Sequence, residues 1–207
     1  MTDNTEKDKE RSRYSLIFKK YYSLMTKKQY STLEEILENE LDTKEEAETL
    51  TLMKTLETVK IRGYFTKEEF LKMGMWKTPR PKRSYQNNSE GNTKQVSKGV
   101  FSTNYEKRRI DLLTSLNGVS IPVASAILTL TDPKKYGVID IRVWQILYEY
   151  GSVKIKPTGT NFNFKNWYSY LMKLRYYAKK FKVKPRDVER TLFCYHKKMQ
   201  KGTLYKN

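Results

Sequence analysis

Signals for the start of a helix recur along this chain, and apolar residues at helical spacing follow them. A Ser or Thr with Glu three residues later forms a capping box, which satisfies N–H groups that the first helical turn leaves free. We take four such pairs as helix starts: Ser31 with Glu34, Thr43 with Glu46, Thr66 with Glu69, and Thr103 with Glu106. Signals for strands are weak, and only residues 153–157 suggest a short extended piece. We therefore predict an all-α fold.

Apolar residues mark the inward face of each predicted helix. Three predicted helices have both ends marked and cover residues 14–29, 121–130 and 141–150. For the others only the start is marked, and they begin near residues 32, 44, 67 and 104, after Asn163, and at Pro185. The residues that we expect to face inward are Tyr14, Ile17, Tyr21, Leu24 and Met25; Leu52, Leu56 and Val59; Ile110, Leu113 and Leu116; Trp167, Leu171, Leu174 and Ala178; and Val188, Leu192 and Tyr195.

Residues 77–104 differ in composition from the segments on either side. They contain few apolar residues and many that favour loops, namely Pro79, Pro81, Asn87, Asn88, Ser89, Gly91 and Asn92. We predict that they form a basic connection between two helical regions, 14–76 and 105–207. Residues 1–13 are rich in charge and are expected to form a tail.

The net charge of +18 is confined to the last two thirds of the chain. Residues 1–75 contain 14 basic and 15 acidic side chains, whereas residues 76–207 contain 27 basic and 8 acidic ones. This asymmetry indicates a polyanionic partner. Nucleic acid is favoured because aromatic residues accompany the charge. A membrane surface is disfavoured because the sequence shows no basic amphipathic helix with a clean apolar face. Two alternatives stay open: a proteome that is rich in Lys and Tyr generally, and a solvated basic face that serves only solubility.

The chain contains one cysteine, Cys194, and one histidine, His196. A single thiol excludes an internal disulfide and an iron–sulfur cluster, and a single imidazole excludes a His-rich metal site. The sequence has no apolar run of the roughly 18 residues that a membrane span needs, and its N-terminus lacks the apolar core of a signal peptide. We expect a cytoplasmic protein without metal or cofactor, in which Cys194 and His196 are structural.

Two predicted helices are joined by a tight turn at residues 116–120. Gly118 lets the chain adopt a positive φ there. The turn then presents backbone N–H groups beside the N-terminus of the following helix, which is a favourable site for a phosphate. Val119 is expected to fill the angle between the two helices, and the small residues 124–126 allow close packing against a neighbour.

This turn resembles the hairpin of the helix–hairpin–helix DNA glycosylase superfamily, whose pattern is Leu-x-Gly-Val-Gly. Leu116, Gly118 and Val119 match that pattern, and Ser120 replaces the last glycine. The resemblance implies two helical subdomains that flank a DNA-binding cleft. It also implies that Asn117, Gly118, Val119 and Ser120 bind duplex DNA.

An aspartate follows the hairpin at the distance that this superfamily uses for its catalytic acid. Asp140 lies within the segment 138–144, and the close match covers about 40 residues. A weaker resemblance extends from Trp76 to about Tyr195. By this resemblance Asp140 stabilises an oxocarbenium-like transition state, activates water, or does both. From local sequence alone an ordinary helix N-cap is the favoured interpretation, and one side chain can serve both roles.

The resemblance also implies how the bond is broken. Members that cleave the DNA strand carry a lysine two residues after the last hairpin glycine, and that position is Pro122 here. Proline has no amine that could form a Schiff base. We therefore expect a monofunctional enzyme that uses water.

Further site residues are expected from the resemblance and from charge. Arg142 is a candidate for contacting a phosphate, with a surface salt bridge as the alternative. Lys77 and Arg80 are candidates for contacting phosphates or lining a pocket, and an ordinary basic loop is their alternative. Trp76 or Tyr85 could fill the gap that an extruded base leaves, or stack on that base.

The resemblance thus implies a DNA N-glycosylase, either of base-excision repair or of defence against modified foreign DNA. We expect a monomer that is associated with the nucleoid. Its substrate would be a damaged, mismatched or modified base in double-stranded DNA. Two alternatives stay open: a helix–hairpin–helix protein that binds DNA structure without cutting it, and a protein that binds RNA.

Overall fold

The computed structural model describes residues 28–200 and is predominantly helical there. Between these residues it contains eleven helices and no β-strand, which confirms the predicted all-α class. The predicted tail at 1–13 and almost all of the predicted helix at 14–29 lie outside the described residues. The helices are α1 (Leu33–Glu40), α2 (Ala47–Thr55), α3 (Glu57–Arg62), α4 (Lys67–Lys77), α5 (Lys82–Gln86), α6 (Glu90–Ser102), α7 (Glu106–Thr114), α8 (Ile121–Thr131), α9 (Ile141–Glu149), α10 (Phe164–Phe181) and α11 (Pro185–Met199).

Helices α8 and α9 begin at Ile121 and Ile141, as predicted, and three more helices begin where their local signals predicted. Thr66 and Glu69 form the capping box of α4. Asn163 caps α10 by accepting a hydrogen bond from the amide of Asn166 at 3.0 Å. Pro185 occupies the first turn of α11, where its missing N–H costs no intrahelical bond.

Other helix starts are displaced from their predicted positions. Thr32 rather than Ser31 caps α1 and accepts from the amide of Glu35 at 3.1 Å. Helix α2 begins at Ala47, about three residues late, because residues 41–46 have no regular structure. Helix α7 begins at Glu106, without a side-chain cap.

The prediction that residues 77–104 form a loop is wrong for most of that segment. Helix α5 and the 13-residue helix α6 lie within it. Ser89 starts α6 by accepting from the amide of Asn92 at 3.1 Å. The buried face of α6 consists of Thr93 and Ser97 beside two valines. Small polar residues therefore occupy some of the inward positions that apolar residues usually mark. Their hydroxyls bond to buried backbone, since Ser97 Oγ accepts from the amide of Phe65 at 3.1 Å.

Packing is concentrated around two helices. Helix α8 contacts α2, α3, α4, α7 and α10, and it is buried from Val123 to its end. The small residues Ala124, Ser125 and Ala126 are fully buried, as predicted. Helix α11 contacts α1, α9 and α10. The inward-facing residues predicted for α7, α10 and α11 are also buried.

A membrane-spanning helix would need a long apolar stretch. Within residues 28–200 no helix combines the necessary length and hydropathy.

Candidate active site

A pocket of about 630 Å³ opens where the end of α4, the first turn of α8 and one face of α11 meet residues 138–142. It brings together five of the residues predicted from sequence, namely Trp76, Lys77, Arg80, Asp140 and Arg142. The predicted hairpin residues 117–120 and Tyr85 do not line it. Pro122, two residues beyond the hairpin, does.

The segment before α9 is held by two buried hydroxyl groups. Ser125 Oγ accepts a hydrogen bond from the amide of Ile139 at 3.0 Å and donates to the carbonyl of Pro122 at 2.8 Å. Tyr170 donates its hydroxyl to the carbonyl of Val138 at 2.7 Å. Helices α8 and α10 therefore fix the position of the next residue, Asp140. Sequence reasoning missed both hydroxyls because each lies far from Asp140 along the chain.

Asp140 is the N-cap of α9 and also faces the pocket. Its Oδ1 accepts from the amide of Arg142 at 2.9 Å, which confirms the capping prediction. Its Oδ2 lies 2.7 Å from Lys77 Nζ. The side chain keeps 18% of its surface exposed, so aliphatic packing does not wall it off from the pocket.

The surroundings of Asp140 keep it ionised. Burial raises its pKa, but the ammonium of Lys77, the amide of Arg142 and the guanidinium of Arg142 outweigh burial, so the pKa lies below its ordinary value of 3.8. The carboxylate is therefore negatively charged at neutral pH. A fixed negative charge in a partly dry pocket can stabilise a cation formed beside it.

Lys77 lies at the C-terminal end of α4, and its ammonium is turned into the pocket rather than out to solvent. Only 17% of its side chain is exposed. It was predicted to contact phosphate or to line the pocket, and in this structure it lines the pocket as the ionic partner of Asp140.

Arg142 carries a buried donor that has no hydrogen-bond partner within residues 28–200. That donor is Nε, and the guanidinium lies 5.4 Å from the ring of Phe193. A buried donor without an acceptor is costly, and a bound ligand can supply the acceptor. Within residues 28–200 no carboxylate forms an ion pair with Arg142, so the surface-salt-bridge alternative receives no support.

Aromatic rings form part of the pocket wall. Trp76 is fixed by its indole N–H, which donates to Thr49 Oγ1 at 3.0 Å. Phe162 packs on the buried Trp144 with ring centroids 5.0 Å apart, and Phe193 comes from α11. Sequence reasoning missed both phenylalanines because each belongs to a different segment, far from Asp140 in the chain.

The loop that carries Phe162 is tied to α9. The indole N–H of Trp144 donates to the carbonyl of Lys156 at 2.9 Å and to that of Ile155 at 3.2 Å. Residues 153–157 therefore form a loop around Trp144 rather than the short extended piece suggested by their composition.

A buried ionic network supports the pocket from α11. Arg186 Nε lies 2.7 Å from Glu45 Oε2, and Arg186 also pairs with Glu189, which is only 3% exposed. Arg190 pairs with Glu45 at 3.2 Å and with Asp42 at 3.2 Å. Both guanidinium groups are buried by these ion pairs, so Arg186 and Arg190 are poorly placed to add the nonspecific DNA affinity that their charge alone would suggest. Within this chain they position the α11 face of the pocket.

The turn between α7 and α8 has the backbone that its glycine predicted. Gly118 adopts a φ of +83°. A Cβ added there would lie 2.9 Å from Tyr85 Cδ1, so glycine also permits this close approach. Tyr85 is fully buried and packs edge-on against Phe70 with centroids 5.7 Å apart. The expectation that Tyr85 fills a gap in DNA is wrong, because its ring supports the turn from inside.

Asn88 holds the turn against the rest of the chain, a function that the sequence did not reveal. Its Oδ1 accepts from the amide of Asn117 at 2.8 Å, and its Nδ2 donates to the carbonyl of Asn117 at 3.1 Å. The Asn117 amide is thus already used. The N–H groups of Gly118 and Ser120 have no acceptor among residues 28–200, which leaves them open to a ligand.

Within residues 28–200 there is no cluster of three or more His, Cys, Asp or Glu side chains that could hold a metal ion. The chain was also compared with family models, curated proteins and solved structures, and none of them matches it.

Proposed function

We propose that this protein is a DNA glycosylase that hydrolyses the N-glycosidic bond of a damaged, mismatched or modified base in duplex DNA. The observation that carries the proposal is the ionised carboxylate of Asp140, held in the wall of a pocket of about 630 Å³ beside aromatic rings. The resemblance of residues 110–147 to the helix–hairpin–helix glycosylases supports the same conclusion.

The size and lining of the pocket suit an extruded base. Enzymes that act on a base take it out of the stack and hold it in a pocket between aromatic or apolar side chains. Trp76, Phe162 and Phe193 supply such surfaces. The volume falls within the range of roughly 300–1,000 Å³ that is typical of small-ligand sites.

Asp140 has the charge that this reaction needs. Breaking an N-glycosidic bond builds positive charge on the sugar ring. A carboxylate held beside C1′ stabilises that charge and can orient the attacking water. Because hydrogen bonds to Ser125 and Tyr170 fix the preceding residues, the carboxylate needs little reorganisation during the reaction.

The strand is held by groups near the pocket. The open N–H groups of Gly118 and Ser120 and the guanidinium of Arg142 are suited to phosphate oxygens. Arg80 lines the outer part of the pocket and can contact the same strand. In this proposal the helices around α8 and those around α11 form two subdomains, with the DNA-binding cleft between them.

The test is a screen for base release. The protein is incubated with duplexes that each carry one lesion, and alkali then cleaves any abasic site that has formed. We expect cleavage at one or more damaged, mismatched or modified bases, and mass spectrometry would identify the free base. No cleavage across alkylated, oxidised, deaminated and mismatched bases would overturn the proposal.

One observation favours a second candidate, a DNA-binding protein without catalysis. Both carboxylate oxygens of Asp140 already have protein partners, which is what a purely structural cap would show. This candidate predicts salt-sensitive binding to duplex DNA with no base release, and binding that Asp140→Asn leaves unchanged.

A further inference from the structure

Lys77 places a primary amine inside the pocket, in contact with Asp140. It is the one lysine among the described residues that line this pocket. Its Nζ lies 2.7 Å from Asp140 Oδ2, and 17% of its side chain is exposed. The lysines of the other ion pairs within residues 28–200 keep between 42% and 64% of their side chains exposed. An ordinary surface pair does not explain this enclosure.

We propose that Lys77 is a nucleophile that forms a Schiff base with an abasic sugar and cleaves the DNA strand on its 3′ side. This inference rests on the proposed function, because base release leaves a sugar that opens to an aldehyde at C1′ in the same pocket. It revises the expectation of a monofunctional enzyme. Pro122 carries no amine, but a different helix, α4, supplies one.

The chemistry is balanced without a cofactor. The ammonium of Lys77 and the C1′ aldehyde condense to an iminium ion and one water molecule. A carboxylate, for which Asp140 is the neighbouring candidate, accepts a proton from C2′, and the C–H electrons move to form an enamine. The nitrogen electrons then restore the iminium, a C2′–C3′ double bond forms, and the C3′–O bond breaks as the phosphate leaves with its electron pair. Water hydrolyses the remaining iminium and returns the Lys77 ammonium.

The thiol of Cys194 also belongs to the pocket wall, and it is poorly suited to this step. Burial raises the pKa of the Cys194 thiol, which lowers the fraction present as thiolate. A thiol also cannot form the iminium that drives elimination. The amine of Lys77 therefore accounts for the proposed chemistry better than any other group in the described wall.

The test uses a duplex with a preformed abasic site and sodium borohydride, which reduces the iminium to a stable amine. The full chain should be trapped covalently on this DNA, and mass spectrometry should locate the adduct on Lys77. Lys77→Arg keeps a cation beside Asp140 but removes the nucleophilic amine, and should lower trapping and strand cleavage about 100-fold or more. Lys72→Arg, on the exposed face of the same helix, is the matched control and should be trapped like the wild type.

Three results would overturn the inference: no trapped product with the wild type, an adduct on another amine, or equal trapping of Lys77→Arg. Thermal melting shows whether each variant is folded. Since the substrate is already abasic, the assay does not require base release. Trapping without any base release in the lesion screen would refute the glycosylase proposal alone, and base release without trapping would refute the lysine proposal alone.

Discussion

At the scale of single residues, Asp140 combines a local and a long-range role. As the N-cap of α9 it follows from the sequence, since an aspartate directly before a helical pattern is a common cap. Its ion pair with Lys77 joins positions 63 residues apart, and no local pattern could predict it. The pair explains why this cap stays ionised in a partly buried pocket.

His196 gives a prediction about pH. It is 1% exposed, its Nε2 lies 2.9 Å from Gln145 Oε1, and its Nδ1 has no hydrogen-bond partner within residues 28–200. Burial and then the charge of Arg142 lower its pKa from 6.5 to about 4, while Asp140 acts in the opposite direction. Because the unfolded chain binds this proton more readily, the contribution of His196 to stability is complete above pH 6.5 and is lost as the pH falls towards 4.

The expected loss from this residue between pH 7 and pH 4 is about 3 kcal/mol in the free energy of unfolding. His196→Gln should therefore have a flatter stability profile across that window. Urea unfolding of both proteins at several pH values measures the difference. Asp140 should contribute little to the difference between the two stability profiles, because its pKa is lowered below 3.8 and it titrates at more acidic pH. Parallel profiles for the two proteins would contradict the assignment.

At the scale of helices, local signals located several helix starts, although the predicted Thr43–Glu46 and Thr103–Glu106 capping boxes did not form. The starts of α4, α10 and α11 follow from a Thr–Glu box, an Asn cap and a first-turn Pro, which act within one turn. Helix α6 was missed because Thr93 and Ser97 occupy half of its buried face. The Thr93 hydroxyl bonds to Ser89 within the same helix, whereas Ser97 accepts from the amide of Phe65, which only the folded chain brings close, so the burial of these two residues could not be inferred from their polarity.

The connection between α5 and the hairpin gives a prediction at this scale. Asn88→Ala removes the side chain that binds both backbone groups of Asn117 and should lower the free energy of unfolding by about 1–3 kcal/mol. It should also weaken binding to duplex DNA, because the turn is no longer held in one position. Chemical denaturation and fluorescence anisotropy measure the two effects. The neighbouring Asn87 is exposed, so Asn87→Ala is the control and should change neither quantity. Equal effects from both variants would argue against the role of Asn88.

At the scale of the whole molecule, the pocket could be only partly predicted. Asp140 and Lys77 were candidates from the sequence, the first through the hairpin resemblance and the second through the basic segment that begins at Trp76. Phe162, Glu189 and Phe193 were not, since separate segments bring them to the same wall. Local sequence specifies helix ends and charge, whereas the pocket is defined by how α4, α8 and α11 meet.

The charge distribution gives a prediction for the entire chain. With 27 basic and 8 acidic side chains in residues 76–207, binding to duplex DNA should release counterions and depend steeply on salt. We expect the dissociation constant to rise about 100-fold or more between 50 and 200 mM salt. Anisotropy titrations at four salt concentrations give the slope. A dissociation constant that does not change with salt would show that the basic region has another purpose.

The central claim is that the carboxylate of Asp140 acts on the sugar of an extruded nucleoside. The most direct measurement is the single-turnover rate of base release from the best lesion duplex by Asp140→Asn, compared with Asp111→Asn, in which an exposed aspartate of α7 is changed. We expect the rate of Asp140→Asn to fall about 100-fold or more, with DNA affinity retained, and that of Asp111→Asn to match the wild type. A rate for folded Asp140→Asn equal to that of the wild type would contradict the account.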